Sequence, residues 1–431
     1  MARAPPAAKE EPRMPRELHT RRRSALRGLG SALALAALLV GCTPEPMPTP
    51  TPTPTRTVAP SGDGVLRIGT LLPTTGGSLT GAAQLAGVRA AVREINAAGG
   101  VDGTPVELVS RDSGDESTQA EAAFSALVER GVDVVIGPSS STLVERLLPL
   151  AREAGVPLIS PAASAPGLGA DADGFFARTI PAVSLQGAVL GGLLTAARAS
   201  DVALIVGSDP VAGSLAAPLE AALAEVEEGE LTTTTITSAA SAASAVRTVV
   251  RARPDAVVLA TSDPEVTAAV LSALVDGRFA ASKLWLTSLS LGDHAQTLPA
   301  GALEGARGIR DGVIADDAFL ARLRVEEPAL GAAPFAAEAY DATVIAALAA
   351  VLAGDDGGPS IAWRLREVTR DGIPCTSFGA CLDVLSTEPA IAYAGLTGAL
   401  ALDGSGAPTR ARYSLFRYDG ENRPQYEGPL D

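Results

Sequence analysis

Short apolar runs alternate with longer amphipathic stretches through most of the chain, and residues 131–164 show the pattern most clearly. Val132 to Ile136 is an almost continuous β-branched run, typical of a strand that is covered on both faces. Apolar residues at helical spacing follow over 142–154, and Gly155 is placed to end that helix. Val156 to Ser160 then returns to a strand pattern, so this segment predicts a parallel βαβ unit.

Small hydroxyl residues follow both of these predicted strands. Ser139 to Ser141 come after the first strand, and Ser164 comes shortly after the second. Ligands of open α/β sheets bind at the carboxyl ends of strands, and a helix N-terminus favours negative charge. Thr142 with Glu145 has the spacing of a capping box, which predicts that the helix begins there. Two interpretations stay open: these residues contact a ligand, or they only cap helices and fill turns.

The same alternation continues on both sides of this unit. Strand patterns flank an amphipathic helix pattern upstream, and four more strand patterns alternate with helix patterns downstream. The predicted strands outside the central unit are 65–73, 106–113, 201–208, 232–238, 255–261 and 283–288. This order predicts an α/β fold with parallel sheets, and a body of about 370 residues is long enough for two lobes. No glycine-rich nucleotide-binding motif occurs in the sequence.

The first 41 residues have the features of an export signal. A basic region around Arg21 to Arg23 precedes the apolar run Ala32 to Val40, which is shorter than a membrane span. Leu39-Val40-Gly41-Cys42 resembles the lipobox of bacterial lipoproteins. This resemblance implies lipid on the Cys42 thiol and removal of residues 1–41, with an uncleaved anchor as the alternative. The export route, Sec or twin-arginine, and a start at Met14 instead of Met1 stay open.

Threonine and proline alternate between Cys42 and residue 60. This composition favours extended polyproline II and buries no core, so 42–63 is predicted to be a lipidated stalk. The first 41 residues contain 8 basic and 3 acidic side chains, and the remainder carries 26 basic and 46 acidic ones, a net charge of −20. Such an acidic chain argues against nucleic acid as a partner and against a basic membrane-binding face.

Catalytic and metal-binding residue sets have little support. His19 lies in the predicted leader, and His294 stands alone. No GxSxG motif occurs, and the few His and Cys residues exclude the commoner zinc sites. Cys375 and Cys381 enclose five residues, and an oxidising compartment favours a disulfide between them; free thiols and a redox pair are the alternatives. The sequence therefore predicts a non-enzymatic protein with no cofactor and no metal.

Three stretches resemble a known family: REINAAGGVDG at 93–103, IGPSSS at 136–141 and AREAGVPLISPAAS at 151–164. They are similar to the type I periplasmic binding proteins of the leucine/isoleucine/valine-binding group, and the similarity extends from about Arg67 to Tyr418. The resemblance implies two Rossmann-like lobes with parallel sheets joined by three crossovers. It also implies a small-molecule ligand between the lobes and an ABC permease and ATPase as partners.

The resemblance also places the lobe boundaries. The first lobe is expected to contain 65–181 with 313–396, and the second 182–312 with 397–431. Residues 398–420 are expected to form a hairpin with a Gly-rich turn that closes the second lobe. The AYDA stretch at 339–342 is common in the family and is expected to pack.

The resemblance further assigns a ligand site. In amino-acid-binding relatives, the residues matching Ser141, Ala162 and Ser164 bind the ligand carboxylate through hydroxyls and backbone N–H groups. Thr142 is added from the same helix start. Small polar residues at the strand ends of the second lobe complete the candidates: Asp209, Ser262 and Ser288.

One departure from the family concerns the ligand ammonium group. The relatives bind it with an acidic residue, whose position falls here at Ser288, and a tyrosine position falls at Val211. A buried ammonium without an anionic partner is costly, so the sequence predicts a ligand with an acidic or strongly accepting group at the Ser141/Ser164 end, and not an ordinary branched-chain amino acid. Asp209 or Asp263 is a possible substitute, with helix capping as the competing role. An amino acid ligand stays the alternative.

The function implied is a lipid-anchored, extracytoplasmic solute-binding protein that captures a small carboxylate- or amide-bearing ligand for an ABC importer of the branched-chain amino acid type. The alternatives are a ligand-binding sensor without a transporter, and a non-transport cell-envelope protein that uses the same fold.

Overall fold

The computed structural model describes residues 58–75, 80–114, 117–170, 172–226 and 229–430. The predicted signal peptide, Cys42 and most of the predicted stalk lie outside the described residues. The strands are β1 Arg67–Leu72, β2 Glu107–Asp112, β3 Val134–Ile136, β4 Leu158–Ser160, β5 Phe176–Arg178, β6 Asp201–Gly207, β7 Glu230–Ile236, β8 Ala256–Ala260, β9 Leu284–Leu286, β10 Arg307–Asp311, β11 Ile373–Cys375, β12 Ile391–Gly395, β13 Gly398–Ala399, β14 Tyr413–Tyr418 and β15 Pro424–Leu430.

Helices connect most of these strands. The helices are α1 Thr80–Ala97, α2 Ser117–Val128, α3 Ser141–Ala154, α4 Val183–Ala196, α5 Pro210–Gly213, α6 Ala216–Leu223, α7 Ala239–Ala252, α8 Pro264–Asp276, α9 Asp317–Leu323, α10 Ala336–Ala353, α11 Gly358–Arg364 and α12 Phe378–Leu385. A short 3-10 helix, Ala281–Lys283, precedes β9.

The strands form two large sheets, one in each lobe. The first sheet is parallel, with the order β2-β1-β3-β4-β5. The second has the order β15-β14-β10-β9-β8-β6-β7, parallel from β10 to β7, with the antiparallel strands β14 and β15 added at one edge. A small third sheet, β11-β12-β13, belongs to the first lobe. These sheets confirm the predicted two-lobe α/β fold.

Helix α10 forms the centre of the first lobe. It is mostly apolar because nearly all of it is buried, packed against α1, the first sheet and α11. Gly87 of α1 allows the closest approach, since a Cβ there would come within 2.2 Å of the Ala336 carbonyl oxygen. The length and composition of α10 would also suit a membrane span. However, 83% of this helix is buried within the protein, so packing accounts for its apolar surface.

The chain passes between the two large sheets three times. It leaves the first sheet after Arg178 and enters α4 at Val183, and it leaves the second sheet after Asp311. The third passage follows Leu402, which is still buried in the core of the first lobe together with strands β12 and β13. The boundary that the sequence analysis placed at 396 therefore falls inside a segment that packs in the first lobe.

The predicted hairpin over 398–420 is wrong. Its Gly-rich part is a tight turn in which the Asp403 carboxylate accepts the N–H groups of Ser405 (2.8 Å) and Ala407 (3.1 Å). This turn packs against β5, where Gly406 accepts the N–H of Arg178 at 2.9 Å. The hairpin that closes the second sheet lies later, between β14 and β15.

The disulfide between Cys375 and Cys381 is confirmed. It joins the end of β11 to α12, and both cysteines are buried in the core of the first lobe. Since only six positions separate them, the cross-link restricts little of the unfolded chain and its stabilising effect is local.

Candidate functional site

A cavity of about 530 Å³ lies between the carboxyl ends of strands from the two lobes. The first lobe contributes Ser164 from the loop after β4, and the second contributes Ser288 from the loop after β9 and the end of β10. Most of the remaining wall is apolar. The lining residues are Ser164, Ser288, Leu289, Arg310, Asp311, Val313, Ile314, Ala315, Leu320, Gly331, Ala332, Ala333, Pro334, Phe335 and Glu338.

The structure brings Ser164 and Ser288 together, but the other first-lobe candidates do not line this cavity. The hydroxyl of Ser141 accepts the N–H of Ala165 at 3.1 Å, so it fastens the loop that carries Ser164. The N–H of Ala162 points to Ser160 Oγ at 3.4 Å. Thr142 is exposed, and no capping box forms, because α3 begins at Ser141 with Ser140 as its N-cap residue.

The predicted second-lobe acids serve as helix caps. Asp209 accepts the N–H of Ala212 at 2.8 Å at the start of α5, and its other oxygen accepts the hydroxyl of Ser262 at 3.0 Å. Asp263 accepts two backbone N–H groups at the start of α8, with Glu265 at 2.8 Å. Neither carboxylate lines the cavity, so the capping interpretation describes both.

A buried carboxylate nonetheless lies next to Ser288. Asp311 Oδ1 accepts the Gln186 amide at 2.7 Å, and the Gln186 carbonyl oxygen accepts the N–H of Ser288 at 3.1 Å. The hydroxyl of Ser288 adjoins the Asp311 carboxylate without a hydrogen bond of standard geometry. Burial raises the pKa of Asp311 to about 6. The second lobe therefore has a carboxylate beside Ser288, contributed by β10 and not by Asp209 or Asp263.

Glu338 is a second buried acid at the cavity, contributed by the first turn of α10. Its Oε1 accepts the N–H of Val313 at 2.8 Å, on the segment that follows β10 out of the second lobe. Its Oε2 is buried without a hydrogen-bond partner in the described part of the chain. Burial, together with the charges of Asp341 and Asp311, raises the pKa of Glu338 to about 8. At neutral pH this side chain is mostly protonated.

A buried arginine lies behind the Ser164 loop. Arg178 is 2% exposed, and its guanidinium donates to the carbonyl oxygens of Ala163 (3.2 Å) and Ala165 (2.8 Å). Burial lowers its pKa to about 10, and the Asp403 charge acts in the opposite direction. These contacts, with the bond from the Ala165 N–H to Ser141, hold the backbone of both residues that flank Ser164.

Val211 provides an apolar contact between the lobes. It follows β6 in the second lobe, yet it packs against core clusters of both lobes. This is the position that the sequence comparison matched to a tyrosine in the relatives. No cluster of three or more His, Cys, Asp or Glu side chains suited to a metal ion occurs in the described residues.

Arg310, Asp311 and Glu338 were not predicted as site residues. The sequence signal was present in part, because a crossover was expected at the lobe boundary between 312 and 313, and a crossover of two lobes borders the cleft between them.

Residues 65–383 match the profile of the family described as Periplasmic binding protein. The chain is 27% identical over 358 residues to the chemotactic signal transduction system substrate-binding protein BasB of Halobacterium salinarum, which covers 77% of this chain and 82% of BasB. It is 34% identical over 108 residues to the leucine-, isoleucine-, valine-, threonine-, and alanine-binding protein of Pseudomonas aeruginosa, which covers 25% of this chain and 29% of that protein.

Two solved structures are also similar. The branched-chain amino acid transporter substrate binding protein LivJ from Streptococcus pneumoniae, in complex with isoleucine, has a TM-score of 0.61 at 23% identity and covers 85% of this chain and 98% of its own. A solute binding protein of an ABC transporter from R. palustris, in complex with benzoate, has a TM-score of 0.57 at 18% identity, with 85% and 96% covered. At these identities the two structures show the fold. With the family profile matching most of its length, this chain belongs to the periplasmic binding protein family, which is non-enzymatic.

Proposed function

We propose that this protein is an extracytoplasmic, lipid-anchored solute-binding protein that captures a small carboxylate- or amide-bearing ligand between its lobes for an ABC importer of the branched-chain amino acid type. The observation that supports this most directly is the cavity of about 530 Å³, to which each lobe contributes polar groups at strand ends. The sequence placed the lobes at 65–181 with 313–396 and at 182–312 with 397–431. Because Leu402 packs in the core of the first lobe, we propose that the last boundary lies after Leu402.

The ligand bridges the lobes in this proposal. A hydrogen-bond acceptor of the ligand, such as a carboxylate, accepts the Ser164 hydroxyl. In a ligand that carries an ammonium group, this group pairs with the Asp311 carboxylate. Binding of both ends favours closure around the cleft by hinge motion at the crossovers. The similar structures were solved with isoleucine and with benzoate, and both of these molecules carry a carboxylate.

Ser164→Ala should weaken binding of the ligand about tenfold, because a hydrogen bond to a charged group is lost. Isothermal titration calorimetry with L-leucine, L-isoleucine, L-valine and benzoate measures this effect. The matched control is Ser262→Ala, an exposed serine outside the cavity, which should leave the affinity unchanged. Tight binding of any of these ligands that Ser164→Ala does not weaken would contradict the proposed site.

The same titration with Asp311→Asn separates two ligand classes. Loss of L-leucine with benzoate binding retained indicates an amino acid whose ammonium meets Asp311. Retention of L-leucine binding contradicts that role for Asp311.

A sensor without a transporter is the second candidate. BasB is named as the substrate-binding protein of a chemotactic signal transduction system, and the similarity covers 82% of it. Genes for two permeases and two ATPases beside this one favour import, whereas neighbouring signalling genes favour the sensor.

The anchor is tested by Cys42→Ser. This variant should lose incorporation of radiolabelled lipid precursor and leave the membrane fraction or stay unprocessed, since the thiol is the proposed attachment point. Thr49→Ala, in the same threonine- and proline-rich segment, serves as the control and should stay lipidated. Equal labelling of Cys42→Ser and the wild type would refute the anchor.

A further inference from the structure

Arg310 is the arginine among the residues that line the cavity. It lies at the end of β10, is half-buried, and its guanidinium carbon is 4.9 Å from the centre of the Phe416 ring. No carboxylate of the described residues forms an ion pair with it, and its guanidinium makes no hydrogen bond within that part of the chain. The neighbouring Asp311 carboxylate is engaged by Gln186 instead.

Other arginines of the second lobe have different surroundings. Arg417 pairs with Glu427, and Arg423 pairs with Asp293. Arg307, three residues before Arg310 on the same strand, lies over the Trp285 ring at 5.2 Å and does not line the cavity. Arg310 thus combines partial burial, a supporting aromatic face and access to the cavity.

A partly buried guanidinium is costly unless an anion meets it, and its planar fork matches a carboxylate with two parallel hydrogen bonds. Burial lowers the pKa of Arg310, and the charges of Tyr418 and Asp311 act in the opposite direction. The rest of the wall that faces it is mainly apolar, with Leu289, Val313 and Leu320 among its members. An anionic group would complement the Arg310 guanidinium, and an apolar body would complement the wall that faces it.

We propose that Arg310 is a specificity-determining residue that binds the carboxylate of the ligand from the second lobe. The inference rests on the proposed function and narrows the ligand to a small carboxylate with an apolar body. Ser164 and Arg310 line the same cavity from opposite lobes, so a carboxylate bound by both links closure of the cleft to the presence of the anion.

The test compares carboxylates with their neutral or amidated partners in calorimetry: benzoate with benzamide, and L-leucine with L-leucinamide. Arg310→Ala should weaken carboxylate binding at least about tenfold and leave the amides within about twofold. Arg310→Lys should restore part of the carboxylate affinity, because lysine keeps the charge without the fork. Arg307→Ala removes the same charge from the same strand and should change neither class.

The outcomes separate this inference from the proposed function. If Ser164→Ala weakens carboxylate binding while Arg310→Ala does not, the role of Arg310 is overturned and the proposed function stands. If a folded Arg310→Ala variant loses affinity for the carboxylates and the amides equally, recognition of the ligand charge by Arg310 is overturned. If none of these carboxylates binds the wild type at up to millimolar concentration, the ligand class is overturned, whereas a neutral amide that binds and depends on Ser164 keeps the proposed cleft.

Discussion

Asp341→Ala should lower the free energy of unfolding by about 3–5 kcal/mol in urea denaturation. Asp341 is fully buried on α10, and its carboxylate accepts four hydrogen bonds. Tyr393 OH donates at 2.7 Å and the N–H of Leu396 at 3.1 Å to one oxygen, while Thr397 donates its N–H (2.7 Å) and its hydroxyl (2.5 Å) to the other. Removing the acceptor leaves these donors buried without partners, and each costs about 1–3 kcal/mol.

Asp341→Asn should fall between the wild type and alanine, because one amide oxygen satisfies only one of the two donor pairs. Asp316→Ala is the matched control for loss of a carboxylate. Asp316 is an exposed cap that accepts the N–H of Phe319 at 2.7 Å, so about 1 kcal/mol is expected there. A loss at Asp341 no larger than the loss at Asp316 would show that the surrounding segment relaxes to satisfy its own donors.

This network has a structural role inside the first lobe. It fixes the turn between β12 and β13 to α10. The first turn of the same helix holds Val313, on the second passage between the lobes, through Glu338. The sequence predicted packing for the AYDA stretch, and the structure adds that its aspartate organises the backbone of this turn.

The fold was predictable because it depends on local patterns. Apolar β-branched runs and helical stripes recur along the chain, and their alternation predicts parallel sheets. The hairpin predicted over 398–420 is wrong for a reason that is also local. Asp403 closes the Gly-rich turn by capping its own backbone, so the glycines there do not connect two sheet strands.

The site was less predictable because its groups come from distant parts of the chain. Gln186 and Asp311, which are 125 residues apart, meet only when the second lobe is folded. Sequence comparison placed the acidic position of the relatives at Ser288, and the nearest buried carboxylate of the second lobe comes from the adjacent strand β10. Asp311 is therefore our proposed partner for a ligand ammonium, in place of Asp209 and Asp263.

The role of Ser141 illustrates the same limit. The sequence places the Ser141 hydroxyl directly after a strand, where loops border the cavity. No local pattern, however, predicts which atom this hydroxyl contacts. In the structure it accepts the N–H of Ala165, one residue beyond Ser164. Ser141 thus acts on the cavity through the loop that it holds, and Ser164 is the residue that reaches the cavity wall.

Glu338→Gln should change the pH dependence of stability. Folded Glu338 has a pKa of about 8, and the ordinary value of 4.5 applies to the unfolded chain. Between these values the folded state binds more protons than the unfolded state, so rising pH lowers the free energy of unfolding through this group. The full effect above pH 8 is on the order of 5 kcal/mol, since each pKa unit corresponds to about 1.4 kcal/mol and the pKa is raised from 4.5 to about 8.

The glutamine variant removes this titration while its side-chain oxygen keeps the N–H of Val313. At pH 5 it should be about 1–2 kcal/mol less stable than the wild type, because the new amide N–H groups take the place of Oε2, which has no partner in the described residues. At pH 8.5 the order should reverse. Urea unfolding of both proteins at pH 5, 7 and 8.5, with the exposed Glu304→Gln as control, measures the pH at which their stabilities become equal.

Asp311 and Asp133, whose pKa values are also raised, to about 6 and about 7, contribute in both proteins and largely cancel in the difference. Curves that stay parallel from pH 5 to 8.5 would mean that Glu338 is already ionised in the folded protein, and that the hinge segment holds a charged carboxylate beside Val313.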